Sequence, residues 1–255
     1  MKNNKIRFFT LLTLAFLLVQ TTSVQASPDN RPAFADGTNL YVATSGSDSN
    51  DCLTISTPCQ TINGAIEKAV DEDTIYVAIG TYTSTEDNVV YINKGITLLG
   101  GWNANFTDQT GHSTIDGQKA RRGVLIAIPC CAIPGYPPVV IDHLKVQNSA
   151  SVGAFVGGGV VIYSAGVVTI SNGVISENTS TTSGGGISTQ AEELIINNTT
   201  ISNNTSGRLY VSGGGGGAGI SITYGKVTLN NSSIVNNNML VFLMVVEFTI
   251  PAKTN

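Results

Sequence analysis

One phrase written three times limits what this chain can fold into. It reads Val168-Thr-Ile-Ser-Asn-Gly-Val-Ile-Ser-Glu-Asn178, then Leu194-Ile-Ile-Asn-Asn-Thr-Thr-Ile-Ser-Asn-Asn204, then Val227-Thr-Leu-Asn-Asn-Ser-Ser-Ile-Val-Asn-Asn237. A glycine cluster precedes each copy: Gly157 to Gly159, Gly184 to Gly186, and Gly213 to Gly217. The copies start 26 and then 33 residues apart, a period typical of stacked repeats. Each pairs a β-branched run, suited to pleated backbone, with Asn and Gly, which tolerate left-handed corners. A helix does not fit, because the composition is poor for it and no apolar stripe of period 3.6 runs through. Propellers and sandwiches want even antiparallel hairpins, whereas here short strands alternate with unequal Gly-rich excursions. A Gly/Asn-rich disordered tract is the remaining alternative, and the regular aliphatics argue against it. The expected architecture is an all-β, right-handed parallel β-helix.

In that architecture equivalent residues stack about 4.8 Å apart. Asn178, Asn204 and Asn237 each follow an Ile by three residues (Ile175, Ile201, Ile234), so their amides are expected to form a ladder along the axis. Ile170, Ile196 and Leu229 should point inward and stack. A degenerate copy runs from Val139 to Asn148.

The start of the chain reads differently. Residues Met1 to about Ala26 have a basic beginning (Lys2, Lys5, Arg7), an apolar run from Phe8 to Val19, and small residues at Val24-Gln25-Ala26. This is the pattern of an export signal cleaved near Ala26; a retained anchor would want a longer apolar run. Residues 27–38, with Pro28 and Pro32, read as a flexible lead-in, and the β-helix is expected over 39–238. Leu40 to Ala43 opens it as a strand. Gln60 to Val70 carries Ile62, Ala65, Ile66, Ala69 and Val70 at helical spacing, and would cap the first coil. Strands follow in Asp73 to Tyr82, Val89 to Ile92 and Ile96 to Leu99.

The run Tyr41-Val-Ala-Thr-Ser-Gly-Ser-Asp48, the Cys52/Cys59 pair, Asp73-Thr-Ile-Tyr-Val-Ala-Ile-Gly-Thr-Tyr82, Gly100-Gly-Trp-Asn-Ala-Asn-Phe106 and Thr114-Ile-Asp-Gly117 resemble secreted bacterial β-helix proteins of the pectin-lyase-like superfamily. The Gly-Gly-Gly-Ile and Ile-x-x-Asn copies resemble the repeat of polymorphic outer-membrane proteins and related adhesins, where Phe usually stands in place of Ile. The resemblance implies the solenoid fold. It implies polysaccharide lyases and hydrolases for some members, and surface proteins with no known reaction for others.

Cys52 and Cys59, close together in an exported chain, read as a disulfide pinning the entry to the cap helix, with free buried thiols as the alternative. Cys130 and Cys131 are adjacent; a vicinal disulfide would be strained, and free or intermolecular thiols stay open. Neither pair has a nearby His or a Cys-x-x-Cys partner, so no metal site is expected from them.

Polysaccharide hydrolysis needs two placed carboxylates, and polyuronate lyases usually need carboxylates binding calcium together with a basic residue that removes a proton. Asp116 and Asp142 lie about one coil apart and are candidates for stacking on one face, with Lys145, Arg121 and Arg122 as nearby positive charge. The plain alternative makes Asp116 the start of an Asp-Gly turn and Asp142 a strand end. Asp142-His143 looks like half of a triad, but neighbours on a regular strand face opposite sides and would not meet. The glycine clusters are not phosphate loops, and no copy carries the Asp-bearing nonapeptide of calcium-binding rolls. Asn105, Asn178, Asn198 and Asn204 match the glycosylation pattern, as chance allows in so Asn-, Ser- and Thr-rich a chain. A net charge of −4, without basic clusters, points away from nucleic acid and membrane surfaces. The expected function is a non-catalytic, exported surface or extracellular protein, a rigid rod for adhesion or glycan contact. It would meet a polysaccharide or a host or neighbouring cell surface, with no cofactor and no transmembrane span in the mature chain. The alternative is a lyase or glycosidase.

The grammar of the repeat stops at 239–255, where Met239-Leu-Val-Phe-Leu-Met-Val-Val-Glu-Phe-Thr-Ile-Pro251 replaces the next glycine cluster. Glu247 and Pro251 leave the apolar run too short to span a membrane. Read one base earlier, so that the third base of each codon joins the first two of the next, Met244-Val245 must encode Gly, Glu247-Phe248 must encode Ile or Val, and Phe248-Thr249 must encode Tyr or His. The permitted string includes Gly-Gly-Gly-Ile-Tyr, the next copy of the repeat. A lost nucleotide in the Asn-codon tract is therefore expected, with an aggregation-prone or poorly ordered chain from about Met239.

Overall fold

A computed structural model describes residues 37–128, 136–151, 157–163, 166–208 and 217–241. The expected export signal, most of the lead-in, Cys130 and Cys131, most of the last glycine cluster and the tail from 242 lie outside these residues.

Four parallel sheets build the described fold. The first has seven strands: Asn39–Val42, Thr74–Ala78, Thr97–Trp102, Val139–Asp142, Val167–Ser171, Glu193–Asn197 and Lys226–Asn230. The second has six: Thr81–Tyr82, Ser113–Asp116, Leu144–Gln147, Val174–Ser176, Thr200–Ser202 and Ser233–Val235. The third has five: Asn88–Ile92, Arg122–Ala127, Val160–Tyr163, Ile187–Thr189 and Ile220–Ile222. The fourth has three: Thr179–Ser180, Thr205–Arg208 and Asn238–Val241. Each strand pairs with its counterpart one coil on, and the chain visits the sheets in turn, so the fold is a parallel β-helix.

The repeat sets the register. Ile170 pairs with Ile196 and Ile196 with Leu229, while Val146, Ile175, Ile201 and Ile234 form a second inward column. Ile170, Ile196, Ile175 and Ile201 are buried. Leu229, although in register, is 41% exposed because no further coil covers it among the described residues. From His143 onward, two corners per coil are left-handed. Between the first and second sheets they are His143, Asn172, Asn198 and Asn231, with φ of 51°, 49°, 48° and 47°. After the second sheet they are Asn148, Glu177, Asn203 and Asn236, with φ of 49°, 59°, 56° and 54°. Asn supplies most of them because its side chain tolerates this region.

The residue after the second corner enters the interior. Asn178 Nδ2 donates to Asn204 Oδ1 at 3.0 Å, and Asn204 Nδ2 to Asn237 Oδ1 at 2.9 Å. Each Oδ1 also accepts the backbone N–H one coil earlier, and each Nδ2 also reaches a backbone carbonyl. In the degenerate copy this place belongs to Ser149, whose N–H donates to Asn178 Oδ1; Asn148 is the corner. The glycine clusters make room for the ladder. A Cβ on Gly159 or Gly186 would lie 2.9 Å from Asn178 Nδ2 or Asn204 Nδ2, and 2.5 Å from the glycine carbonyl one coil on.

At the other end, the helix Ile62–Lys68 closes the first coil, burying Ile62, Ala65 and Ile66 against the core. Thr61 Oγ1 accepts the Gly64 N–H at 2.9 Å as N-cap, and Lys94 Nζ donates to the carbonyls of Ile66 and Ala69 near the helix C-terminus. Val70, expected on its apolar face, lies outside the helix and is exposed. Cys52 and Cys59 form a disulfide across the loop leading into it. The first three residues of the expected aberrant tail, Met239 to Val241, are strand and pair with Ser206 to Arg208. No helix among the described residues is long and apolar enough to cross a membrane.

Candidate functional site

The interior is filled with aliphatics and the mutually hydrogen-bonded Asn ladder, so the outward rows are where a ligand could be met. On the outer face of the first sheet one row runs Tyr41, Tyr76, Leu99, Asp142, Ser171, Asn197, Asn230 in successive coils. Tyr41 and Tyr76 stack with ring centres 5.4 Å apart, Trp102 meets the edge of Tyr76 at 5.2 Å, and Phe106 meets Tyr41 at 5.1 Å. All four rings are half-buried, leaving part of each in solvent.

Local sequence places them. The register slips by one residue after Tyr76, where Gly101 adopts a φ of 77° and Trp102 pairs with Ala78. Such a bulge re-aims the next side chain, and Trp102 turns outward beside Tyr76. The chain then makes a tight loop in which Asn103 N–H donates to Asp108 O and Asn103 Oδ1 accepts the Thr107 N–H. This loop brings Phe106 over Tyr41 and returns Gln109 against Trp102. The Trp102 indole N–H is enclosed and meets no acceptor, a cost of about 1–3 kcal/mol.

Gln109 joins the rings to a polar cluster. Its Nε2 donates to Gly100 O at 2.8 Å and to Asp142 Oδ2 at 3.2 Å. Asp142 Oδ1 accepts from Asn172 Nδ2 at 2.7 Å, and its Oδ2 lies 2.6 Å from His143 Nδ1. The expectation that Asp142 and His143 could not meet is therefore wrong. It assumed a regular strand, but His143 is a left-handed corner, and the turn swings its ring back to the neighbouring carboxylate. His112, just before the second-sheet strand Ser113–Asp116, places its ring centre 6.0 Å from that of His143.

Asp116 is not part of this cluster. It sits in the second sheet, in register with Gln147, while Asp142 belongs to the first sheet, so the two carboxylates do not stack. Their separation matches the coil length of the later copies, but Thr97 and Val140, paired across one coil here, are much further apart in sequence. Asp116 Oδ1 accepts the Gln118 N–H at 2.8 Å, and Oδ2 accepts from Gln147 at 3.0 Å and Asn148 at 3.1 Å. Burial pulls its carboxyl upward, but these hydrogen bonds and the charge of Lys145 outweigh it and hold it below the ordinary 3.8. Lys145 lies in register with Thr114 and Val174 in the second sheet. Arg121 bonds Gln118, and the buried Arg122 reaches Asn88, so neither is aimed at Asp142.

Sequence alone does not mark the aromatic row or His112 as site residues. Period two held the signal: Tyr41 and Tyr76 each stand between inward aliphatics, in Leu40-Tyr-Val42 and Ile75-Tyr-Val77. The arrangement offers flat apolar faces next to a carboxylate, an amide and an imidazole, a combination suited to holding a polyhydroxylated ring. Among the described residues no three His, Cys, Asp or Glu side chains converge to hold an ion.

No protein-family model matches the chain, and no curated protein does. Among solved structures, a rhamnogalacturonan lyase is similar over 79% of this chain and 69% of its own, at 14% identity and a TM-score of 0.32. The β-helical fold described above rests on the parallel sheets themselves.

Proposed function

We propose that this chain is an exported surface or extracellular β-helix protein that contacts glycans through the outer face of its first sheet, without cleaving them. The observation that carries the reading is the in-register row of Tyr41, Tyr76, Leu99 and Asp142, flanked by Trp102 and Phe106. Aromatic faces pack against the C–H faces of pyranose rings, while Asp142 and Gln109 suit hydroxyls beside them. Coils spaced about 4.8 Å apart present these groups at intervals close to the length of one sugar unit. The Cys52–Cys59 disulfide supports an oxidising, extracytoplasmic setting. Adhesion to a polysaccharide or a neighbouring cell surface is the role such a contact would serve.

One observation favours a second reading, a carbohydrate-active enzyme. Asp142 orients His143 through a 2.6 Å contact, as a carboxylate orients a general base. Against it, Asp116, the other candidate carboxylate, lies in another sheet with both oxygens engaged. Incubating the protein with polyuronates and neutral glycans separates the two. Binding seen as retarded migration in glycan-loaded gels, with no new reducing ends or unsaturated products, is expected. Chain cleavage lost in His143→Asn would establish the enzyme instead.

A further inference from the structure

The chain has two histidines, 31 positions apart in sequence, and the fold brings both to one corner. Their hydrogen bonds fix which nitrogen of each is left over. His112 Nε2 lies 3.0 Å from the backbone carbonyl of Asn172, which only accepts, so Nε2 carries the proton and Nδ1 keeps its lone pair. His143 Nδ1 lies 2.6 Å from the Asp142 carboxylate, so Nδ1 is the donor, and Nε2 is the nitrogen that offers a lone pair in the neutral ring. Each ring is thus held by an oxygen acceptor on one nitrogen while the other is uncommitted. Carboxylate and carbonyl acceptors of this kind orient histidines that bind metals and raise their basicity. The Asp142 carboxylate is itself fixed, by Asn172 and Gln109.

We infer that His112 and His143 together bind a divalent transition-metal ion, of the class of Zn²⁺, Cu²⁺ or Ni²⁺. Imidazole nitrogen selects these ions over calcium and magnesium, which prefer oxygen. Two imidazoles sharing one ion at about 2.0–2.1 Å have ring centres about 6.4 Å apart when trans and about 5.2 Å apart at a tetrahedral angle. The observed 6.0 Å lies between the two, and the exposed His112 ring has to close by less than about 1 Å on a tetrahedral ion. With two protein ligands, the remaining positions fall to water or to oxygens of a molecule lying on the adjacent face. The site stands whether or not the glycan reading holds, because it uses neither the aromatic rings nor a saccharide.

The fold supplies a benign variant. His143 occupies the left-handed corner that Asn172, Asn198 and Asn231 fill in later coils, so His143→Asn removes the ligand while keeping a residue the corner accepts. His112 is exposed, and His112→Gln removes the second ligand. The test is a titration of chelator-treated protein with Cu²⁺, read by electron paramagnetic resonance, and with Zn²⁺, read by calorimetry. Expected are one ion per chain and a two-nitrogen coupling pattern, reduced to one nitrogen in either variant. Zn²⁺ affinity should fall at least tenfold in each variant and about 10–100-fold in Asp142→Asn, which alters only the orienting carboxylate. Affinity and coupling unchanged in the His112→Gln/His143→Asn double variant, or no binding by the parent chain, overturns the proposal.

Discussion

Along one outward row of the first sheet, the early coils carry Tyr41, Tyr76 and Leu99 where the late coils carry Ser171, Asn197 and Asn230. Inside, the two regions are alike: Leu40, Ile75 and Leu98 in the first, Val168, Ile170, Leu194 and Ile196 in the second, all buried. The late coils add the internal Asn178–Asn204–Asn237 ladder, which has no counterpart among the described residues of the early ones. The early coils add a capping helix, a disulfide and a loop that carries Phe106. The late region therefore reads as scaffold, specified by repetition. The early region departs from the repeat on its surface, where the aromatic rings gather. Asp142, His143 and Asn172 mark the boundary between the two, where a carboxylate and an imidazole enter a column of amides.

The largest effect should come from the interior of the late region. Asn204 is fully buried, and its amide serves both neighbouring coils. Asn204→Ala should lose about 2–4 kcal/mol in urea unfolding, because buried N–H groups are left unpaired. Asn197→Ala, on the outer row, should stay within about 0.5 kcal/mol. Equal losses would erase the distinction between ladder and surface amides. In the early region, Cys52→Ser with Cys59→Ser should cost about 2–3 kcal/mol, as expected for a short closed loop. If thermal melting is unmoved, the cap does not depend on its disulfide.

A smaller effect belongs to Asp116. Its carboxyl is held below its ordinary value, so the stabilisation is present above the unfolded pKa and disappears as pH falls through the still lower folded one. Wild type and Asp116→Asn should therefore converge in stability below the ordinary carboxylate range, with wild type slightly ahead near neutrality. The advantage is small because the carboxylate is only half-buried and water screens its interactions. An advantage that grows on acidification would reverse the assigned sign.

What could be read from sequence follows the same division. The inward aliphatics and the Ile-x-x-Asn spacing repeat, so coil register in the late region is legible from the residues alone. The early coils differ in length, so a spacing learned from the late copies misplaced Asp116 relative to Asp142. His143 was hidden for a related reason. Aligning Asp142-His143 with Ser171-Asn172 and Asn197-Asn198 puts His143 in an Asn corner, but only a reader who knew that corner to be left-handed would expect its ring to fold back onto Asp142. Trp102 depends on a bulge at Gly101, which no periodicity announces. The aromatic row was accessible through strict alternation, yet each Tyr also fits an ordinary strand.

The central claim, that the outward face of the early coils is the glycan-contacting surface, is tested most directly by Trp102. It is the chain's single tryptophan, packed against Tyr76, so its fluorescence reports on that face alone. Titration with a panel of polyuronates and neutral oligosaccharides should give a saturable change in intensity and wavelength for at least one of them. Tyr41→Ala should weaken that response at least several-fold, while Asn197→Ala leaves it intact. A glycan that binds the protein by calorimetry while the Trp102 emission stays unchanged would place the contact elsewhere and contradict the account.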